Sequence, residues 1–399
     1  MIYTEKQLND ILDWKSNNIE WKEMVKRFNK KYKVETTVDS LKSKFYSFKD
    51  KNLIRADDVQ KDSPSELFAI LKESNKEKAK SKKVLSRNKI LTEYLISKED
   101  ILDGIKDVLK TSKIKALKIN KPKLKSTNKG MTLELLVSDV HFGKKTDTFN
   151  LKVAKERLTT MADTVVGEVS RNQKNYNIDR IILALLGDII ESSTMHGLES
   201  AKGSEFGNAK QIQVAIENLF YSLIMPIAKL GIPITLPCIT GNHDRTEMDR
   251  TMTLPGLDNV TWIIYNALKL LAKAHNLNHL EFIIPEKSYL IMSIYKNNVL
   301  YEHGDNRTIK SPTRPNLESF MNKRGFQVKK VVDFFRLGHF HEPVLYGQGR
   351  IIVNGSVVGN DSYAEVLGFS TDAVQILNFY INTKDRPTCF YKSFPIYLK

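Results

Sequence analysis

Residues 133–141 read LELLVSDVH. Leu133 to Val137 is a short apolar run of strand length, and it stops at polar, metal-competent side chains, Asp139 and His141. The pattern recurs along the chain. Ile181 to Leu186 runs into Gly187-Asp188, and Ile234 to Ile239 into Gly241-Asn242-His243-Asp244. Glu302-His303-Gly304-Asp305 follows, and Val331 to Leu337 then runs into Gly338-His339-Phe340-His341. Helical patterns around 150–171 and 208–229 separate the first three apolar runs. Buried strands alternating with helices predict an α/β body whose helices cover a sheet. In such folds, sites form outside the carboxyl ends of the strands, so these loops are expected to converge.

The residue types name the chemistry. Asp139 and His141 have a period-two relation, as do His339 and His341, so in an extended loop both members can turn toward one ion. Neighbouring glycines let the backbone turn tightly beside a crowded centre. A carboxylate such as Asp188 can bridge two cations. Nitrogen and oxygen donors without thiolate suit Mn2+, Fe2+ or Zn2+ rather than Ca2+.

In this order, the motifs DxH, GD, GNHD, HG and GHxH, spread over residues 139–341, resemble the calcineurin-like metallophosphoesterases. The resemblance implies a four-layer α/β/β/α sandwich and a pair of divalent cations, Mn2+ first, with Fe2+, Zn2+ or Mg2+ also fitting. By resemblance, Asp139, His141, Asp188 and His341 would hold one cation, and Asp188, Asn242, His303 and His339 the other. His243 would protonate the leaving oxygen or stabilise the transition state, with Asp244 orienting it. Such a cation pair clamps the attacking and leaving oxygens of an in-line displacement and makes a water nucleophilic near neutral pH. Asn354-Gly355-Ser356 resembles the turn that follows GHxH in this family, where packing rather than ligation is expected. The chain has GDIIES and GNHD in place of the GDxxDRG and GNHE of protein phosphatases. That favours the repair-exonuclease and general phosphodiesterase side. Nuclease members often carry a histidine soon after the GD aspartate; here the nearest is His196.

The charge is unevenly placed. The chain has 399 residues and a net charge of +16; residues 1–130 hold 32 Lys+Arg against 19 Asp+Glu, and residues 131–399 hold 30 against 27. A basic module beside a near-neutral body points to a polyanionic partner, DNA before RNA. Residues 1–55 predict three short amphipathic helices. Thr4 and Gln7 suit a capping box ahead of Leu8, Ile11 and Leu12. Trp21, Met24, Val25 and Phe28 form the second stripe. Thr36 or Thr37 can cap a third helix with Val38, Leu41, Phe45 and Phe48 inside. This pattern resembles helix-turn-helix modules of the homeodomain or Myb type, which would put the third helix, with Lys42, Ser43, Lys44, Ser47 and Lys49 outward, in a major groove. A protein-binding three-helix bundle is the alternative. Residues 56–130 read as a basic helical linker, starting at Ser63-Pro64 and ending in a polar connector, Lys113 to Lys129. Residues 131–399 are then the catalytic domain.

Two cysteines, Cys238 and Cys389, exclude a disulfide framework and a thiolate metal cage, and fit a cytoplasmic protein, bacterial or phage-encoded. The most apolar run, Leu219 to Ile239, is broken by Pro226, Lys229, Pro233 and Pro237, so it reads as a helix entering a buried strand rather than a membrane span. Lys144, Lys145, Arg245 and Arg307 flank the metal loops and suit either a substrate phosphate or a neighbouring carboxylate. The expected activity is a two-metal phosphodiesterase or nuclease acting on DNA. A phosphomonoesterase acting on a phosphoprotein, nucleotide or RNA end is the alternative, and a DNA-binding protein with a silent site the weakest reading. The resemblance to the repair members implies a partner ATPase as one option, and a homodimer is the other.

Overall fold

The computed structural model describes residues 5–17, 19–42, 117–120, 122, 129–192, 203–246, 254–359, 372–385 and 388–399. The chain divides into two compact units, Met1–Tyr94 and Leu95–Lys399.

The first unit contains α1 (Glu5–Ser16) and α2 (Trp21–Tyr32). Met24 and Phe28, one turn apart on α2, are buried with Ile11 and Leu41, and Trp14, Trp21 and Tyr32 pack around them. Residues 38–42 are helical, and the Ser40 N–H donates to Thr37 Oγ1 at 3.2 Å, the cap expected of Thr37. Ser43, Lys44, Phe45, Ser47, Phe48 and Lys49 lie outside the described residues, as do Thr4, Ser63-Pro64 and most of the connector.

The second unit holds two sheets. The first has the order β11-β10-β1-β2-β3-β4, with β1 (Gly130–Val137), β2 (Asn177–Leu185), β3 (Ile234–Pro237), β4 (Leu280–Ile283), β10 (Val374–Ile381) and β11 (Phe390–Tyr397). Its β1 to β4 are parallel, and β10 runs antiparallel to both β1 and β11. The second sheet has the order β5-β6-β7-β9-β8, with β5 (Tyr289–Ile294), β6 (Asn297–Glu302), β7 (Phe334–Leu337), β8 (Val344–Tyr346) and β9 (Ile351–Val353).

Alternation along the strands builds the layers. Leu133, Leu135 and Val137 face a core shared with α3 (Leu151–Asn172), α4 (Asn208–Asn218) and α5 (Val260–Ala274). Leu136, Ile182, Ala184 and Leu186 face the other way, onto Val299, Tyr301, Phe334 and Ile352 of the second sheet. That sheet's far side packs Leu300, Phe335 and Leu337 against Leu317, Phe320 and Met321 of α6 (Arg314–Val328). The order helix, sheet, sheet, helix is the expected four-layer α/β/β/α architecture.

Local chemistry sets the ends. Asn150 caps α3 by accepting from the Val153 N–H, and Asn259 caps α5 by accepting from the Trp262 N–H, both at 3.1 Å. The apolar run from Leu219 is helix and then strand, as expected: a π-helical stretch, Leu219–Ile224, a last turn, Met225–Ala228, and β3. Among the described residues, no helix is long and apolar enough to cross a membrane. Leu117 and Ile119, expected in a polar connector, instead pack against the first core, and the Leu117 N–H donates to the His275 carbonyl. Their apolar side chains cover surface that would otherwise face water.

A charged network is sealed between the sheets. Glu134 on β1 accepts from Arg336 Nε on β7 at 3.1 Å, from Asn378 Nδ2 at 2.8 Å and from the hydroxyls of Tyr380 and Tyr301. Both charged residues are fully buried. Every polar partner a buried ion pair requires is therefore supplied by the strands around it.

Candidate metal centre

Each expected loop leaves the carboxyl end of a strand: residues 138–141 follow β1, 187–191 β2, 241–245 β3, 303–305 β6 and 338–341 β7. Backbone pairing continues past the strands and locks loop to loop. The His141 N–H donates to the Asp188 carbonyl at 3.1 Å, and the Gly338 N–H to the His303 carbonyl at 2.8 Å. The approach is closer than side chains permit. A Cβ on Gly241 would lie 2.1 Å from Asp188 Oδ1, and one on Gly338 would lie 2.6 Å from Ser138 Cβ.

The structure brings the expected residues together in overlapping groups. The ligand atoms of Asp139, His141 and His341 lie within 4.8 Å of one another, as do those of Asp188, His303 and His339, and those of His141, Asp188 and His243. Asp188 stands at the junction: its Oδ2 is 3.2 Å from His303 Nε2 and 3.9 Å from His141 Nε2. On the other side, His341 Nε2 is 3.3 Å from Asp139 Oδ1. Asn242, next to His243 in sequence, is buried, and its Oδ1 lacks any hydrogen bond.

The loops are not extended, as the period-two reading assumed. Asp139, His141, Asp188, His339 and His341 all have left-handed backbones, with φ of 54°, 50°, 50°, 72° and 61°. Asp and His tolerate this region better than most side chains, but five such residues in one site are local strain held by the surrounding fold.

The donor set fits divalent cations. His141 Nε2 and Asn242 Oδ1 are buried atoms with no hydrogen bond, and Asp139 Oδ1 and His303 Nε2 meet only an ion-pair partner across the site, without hydrogen-bond geometry. Leaving such atoms unsatisfied is costly in the absence of an ion. Borderline nitrogen and hard oxygen donors suit Mn2+, Fe2+ or Zn2+.

Electrostatics describe the metal-free state. Burial would raise the Asp139 carboxyl, but the neighbouring His341, aided by His303, brings it to about 2. Asp188 is also held well below the usual range: burial opposes this, but the charges of His303 and His243 prevail. His303, which burial alone would lower, is raised to about 10 by Asp188 and Asp139. His339 falls to about 4 because it is buried beside His303. Protons on histidine thus balance the carboxylates where cations would.

Two supporting groups escaped the sequence reading. The carboxylate of Glu191 lies 2.8 Å from His141 Nδ1, while its backbone carbonyl accepts from His243 Nδ1 at 2.7 Å. Burial pushes Glu191 up, yet His141, with Lys144 and His243, brings it to about 2. A carboxylate behind a ligand histidine fixes the ring and raises its basicity. The Leu186 carbonyl does the same for His303, taking Nδ1 at 2.7 Å. The only sign of Glu191 in sequence was an acid three places after Asp188. The second group is Gln375 on β10, fully buried. Its Oε1 accepts from the Ser138 N–H at 2.9 Å and from Asn354 Nδ2 at 2.8 Å, and its Nε2 donates to the carbonyls of Gly355 and Val374. This ties the start of the Asp139 loop to Asn354-Gly355-Ser356, and Ser356 Oγ in turn donates to the Asp139 carbonyl at 3.1 Å.

Asp244 differs from its expected task of orienting His243. Its carboxylate accepts from the backbone N–H groups of Asp188 and Gly241 at 2.8 Å and Ile189 at 3.0 Å, so it braces the metal loops, and Glu191 holds the His243 ring. Burial and the adjacent Asp188 charge raise Asp244 to about 7. Arg245 takes the balancing alternative and pairs with Asp305. His196 lies outside the described residues.

Neither a family model nor a curated protein matches the chain. Solved structures do. A Streptococcus pneumoniae protein described as a predicted phosphoesterase is 12% identical, with 66% of this chain and 98% of that chain covered at a TM-score of 0.27. An archaeal phosphodiesterase is 12% identical over 66% and 99% of the two chains at a TM-score of 0.30. Vps29 from Entamoeba histolytica, solved with Zn2+, is 10% identical over 67% and 99% at a TM-score of 0.26. At these scores the likenesses carry no argument, and the reading of the site rests on its own geometry.

Proposed function

We propose that the chain is a metal-dependent phosphoesterase that cleaves phosphodiester bonds of nucleic acid, DNA foremost, using two divalent cations. The observation that carries this reading is the set of overlapping ligand groups meeting at the buried Asp188. Asp139, His141, Asp188 and His341 would hold one cation, and Asp188, Asn242, His303 and His339 the other. Bound there, the cations would supply Lewis acidity and a water nucleophilic at neutral pH, which phosphoester hydrolysis requires.

The remaining steps belong to the chain's own side chains. A carbonyl only accepts, so the Glu191 carbonyl fixes the proton of His243 on Nδ1. Proton exchange with a leaving oxygen would then run through Nε2. The His243 backbone N–H donates to Asp188 Oδ1 at 2.8 Å, which keeps the acid next to the shared ligand. Glu191 and Asp244 act behind them, one on the His141 ring and one on the backbone of the metal loops. The excess of basic residues before position 131 supports a polyanionic substrate over a small phosphomonoester.

The test is a panel of labelled linear duplex, single strand, hairpin, RNA and aryl monophosphate, each with Mn2+, Mg2+ or Zn2+. Cleavage of DNA by the native chain and its loss in Asp188→Asn is the expected result. Hydrolysis of the monophosphate alone would replace the reading with the monoesterase one, and no hydrolysis of any substrate would end it.

A further inference from the structure

We infer that α2 carries a nucleic-acid phosphate-binding ridge formed by Lys22, Lys26 and Lys30. This rests on the nucleic-acid reading above and assigns a contact to the second helix.

The three positions follow the spacing i, i+4 and i+8. At 3.6 residues per turn they fall within an arc of about 80°, and at 1.5 Å per residue they span roughly 12 Å. Met24 and Phe28 occupy the opposite side and are buried, whereas all three lysines are exposed. The ridge therefore points away from the unit's small core.

Three other cations among the described residues of this unit are already engaged. Arg27 pairs with Glu23 at 3.2 Å, Lys31 pairs with Asp10, and Lys15 lies 5.0 Å from the centre of the Trp21 ring. Among the described residues, no carboxylate pairs with Lys22, Lys26 or Lys30.

The arrangement is also unfavourable to the helix itself. Lys22 with Lys26, and Lys26 with Lys30, are like charges at i, i+4, each costing a few tenths of a kcal/mol, about 0.2–0.5. The helix C-terminus offsets part of this at Lys30, which lies in the last turn. A row of phosphates would offset the rest, because each lysine it neutralises releases a condensed counterion. Steps of about 6 Å along one helix face suit a backbone that presents charge at regular intervals. Lysine is a point charge without the fork that reads base edges, so the ridge contributes affinity and positioning rather than sequence choice.

The experiment measures binding of the full chain to a labelled duplex in EDTA, so that hydrolysis plays no part, across a salt series. The variant combines Lys22→Gln, Lys26→Gln and Lys30→Gln. A control of equal charge combines Lys174→Gln, Lys229→Gln and Lys273→Gln. These exposed lysines precede β2, β3 and β4 and so lie at the strand ends opposite the metal loops. The ridge variant is expected to lower the slope of log K against log salt by about 2.7, at roughly 0.9 per phosphate contact, and to melt no lower than the native chain because repulsion is relieved. The control should leave the slope within about 0.5, and the matching Lys→Arg ridge variant should retain it. An unchanged slope in the ridge variant, or an equal fall in the control, would overturn the assignment. So would binding to anionic lipid vesicles without binding to duplex. Loss of hydrolytic activity alone would leave this measurement untouched, which separates failure of the ridge from failure of the metal centre.

Discussion

Glu134→Gln is expected to unfold the second unit far more easily than its modest change in shape suggests. The substitution keeps the side chain's size and removes one charge. It leaves the Arg336 guanidinium fully buried, with Nη1 on the carbonyls of Phe335 and Arg350 and Nη2 on Tyr380, but no counter-charge. Removing one partner of a buried pair typically costs about 3–5 kcal/mol. At roughly 2–4 °C per kcal/mol for a body of this size, the midpoint should fall by about 6–20 °C. Arg336→Met should cost a similar amount by stranding Glu134. The double variant removes both charges and keeps an amide for Tyr301, Tyr380 and Asn378, so it should be more stable than the two losses summed, by about 2 kcal/mol or more. The assay is urea and thermal unfolding of all four proteins in EDTA. The network ties together the strands that lead into the site: Glu134 lies on the strand that precedes Asp139 and Arg336 on the one that precedes His339. A loss below about 1 kcal/mol for Glu134→Gln, or strict additivity, would refute the argument that this pair is charged and mutually dependent.

Glu191→Gln should weaken cation affinity or turnover about 10–100-fold by loosening His141, read by calorimetry and initial rates; unchanged values would remove Glu191 from the site. Gln375→Met strands the buried Ser138 N–H, while Asn354 Nδ2 and the Gly355 carbonyl keep Ser138 Oγ, so it should cost about 1–3 kcal/mol and weaken cation binding as well as lower the midpoint; a lower midpoint with unchanged cation affinity would make Gln375 merely structural. Cation uptake at pH 7 should release protons, because Asp188 and Asp139 raise His303 to about 10 against burial, and a ligand histidine must be neutral. The sign follows from an unfolded value of about 6.5. The stability His303 lends to the metal-free fold is complete below that pH and disappears as pH rises through about 10, while cation affinity grows over the same window. Calorimetry in buffers of different ionisation enthalpy would contradict this if uptake proved proton-independent.

The sequence made the site legible because apolar runs ended abruptly in ligand-competent residues. Leu133 to Val137 before Asp139 and Ile181 to Leu186 before Asp188 are patterns that local reading can detect. The four-layer order followed from resemblance, and the structure supplies its cause in the alternation of Leu135 and Leu136 between two cores. Glu191 was invisible as a partner because its role depends on Phe142 and Ile190 pairing beyond the strand ends. Gln375 lies 237 positions from Ser138, a separation that local periodicity does not span. The antiparallel β10 and β11 were also missed, since Val374–Ile381 is buried along its whole length and offers no two-faced alternation. Asp244 was misassigned because adjacency to His243 in sequence says nothing of which way two side chains turn; here one carboxylate serves the backbone.

The most direct measurement is the number and coupling of Mn2+ ions held by the native chain, by elemental analysis after gel filtration and by electron paramagnetic resonance. Two ions per chain with an exchange-coupled spectrum, and loss of that coupling in Asp188→Asn, are the expected results. A chain that holds one ion or none at saturating Mn2+, or two ions with independent spectra, would contradict a shared two-cation centre.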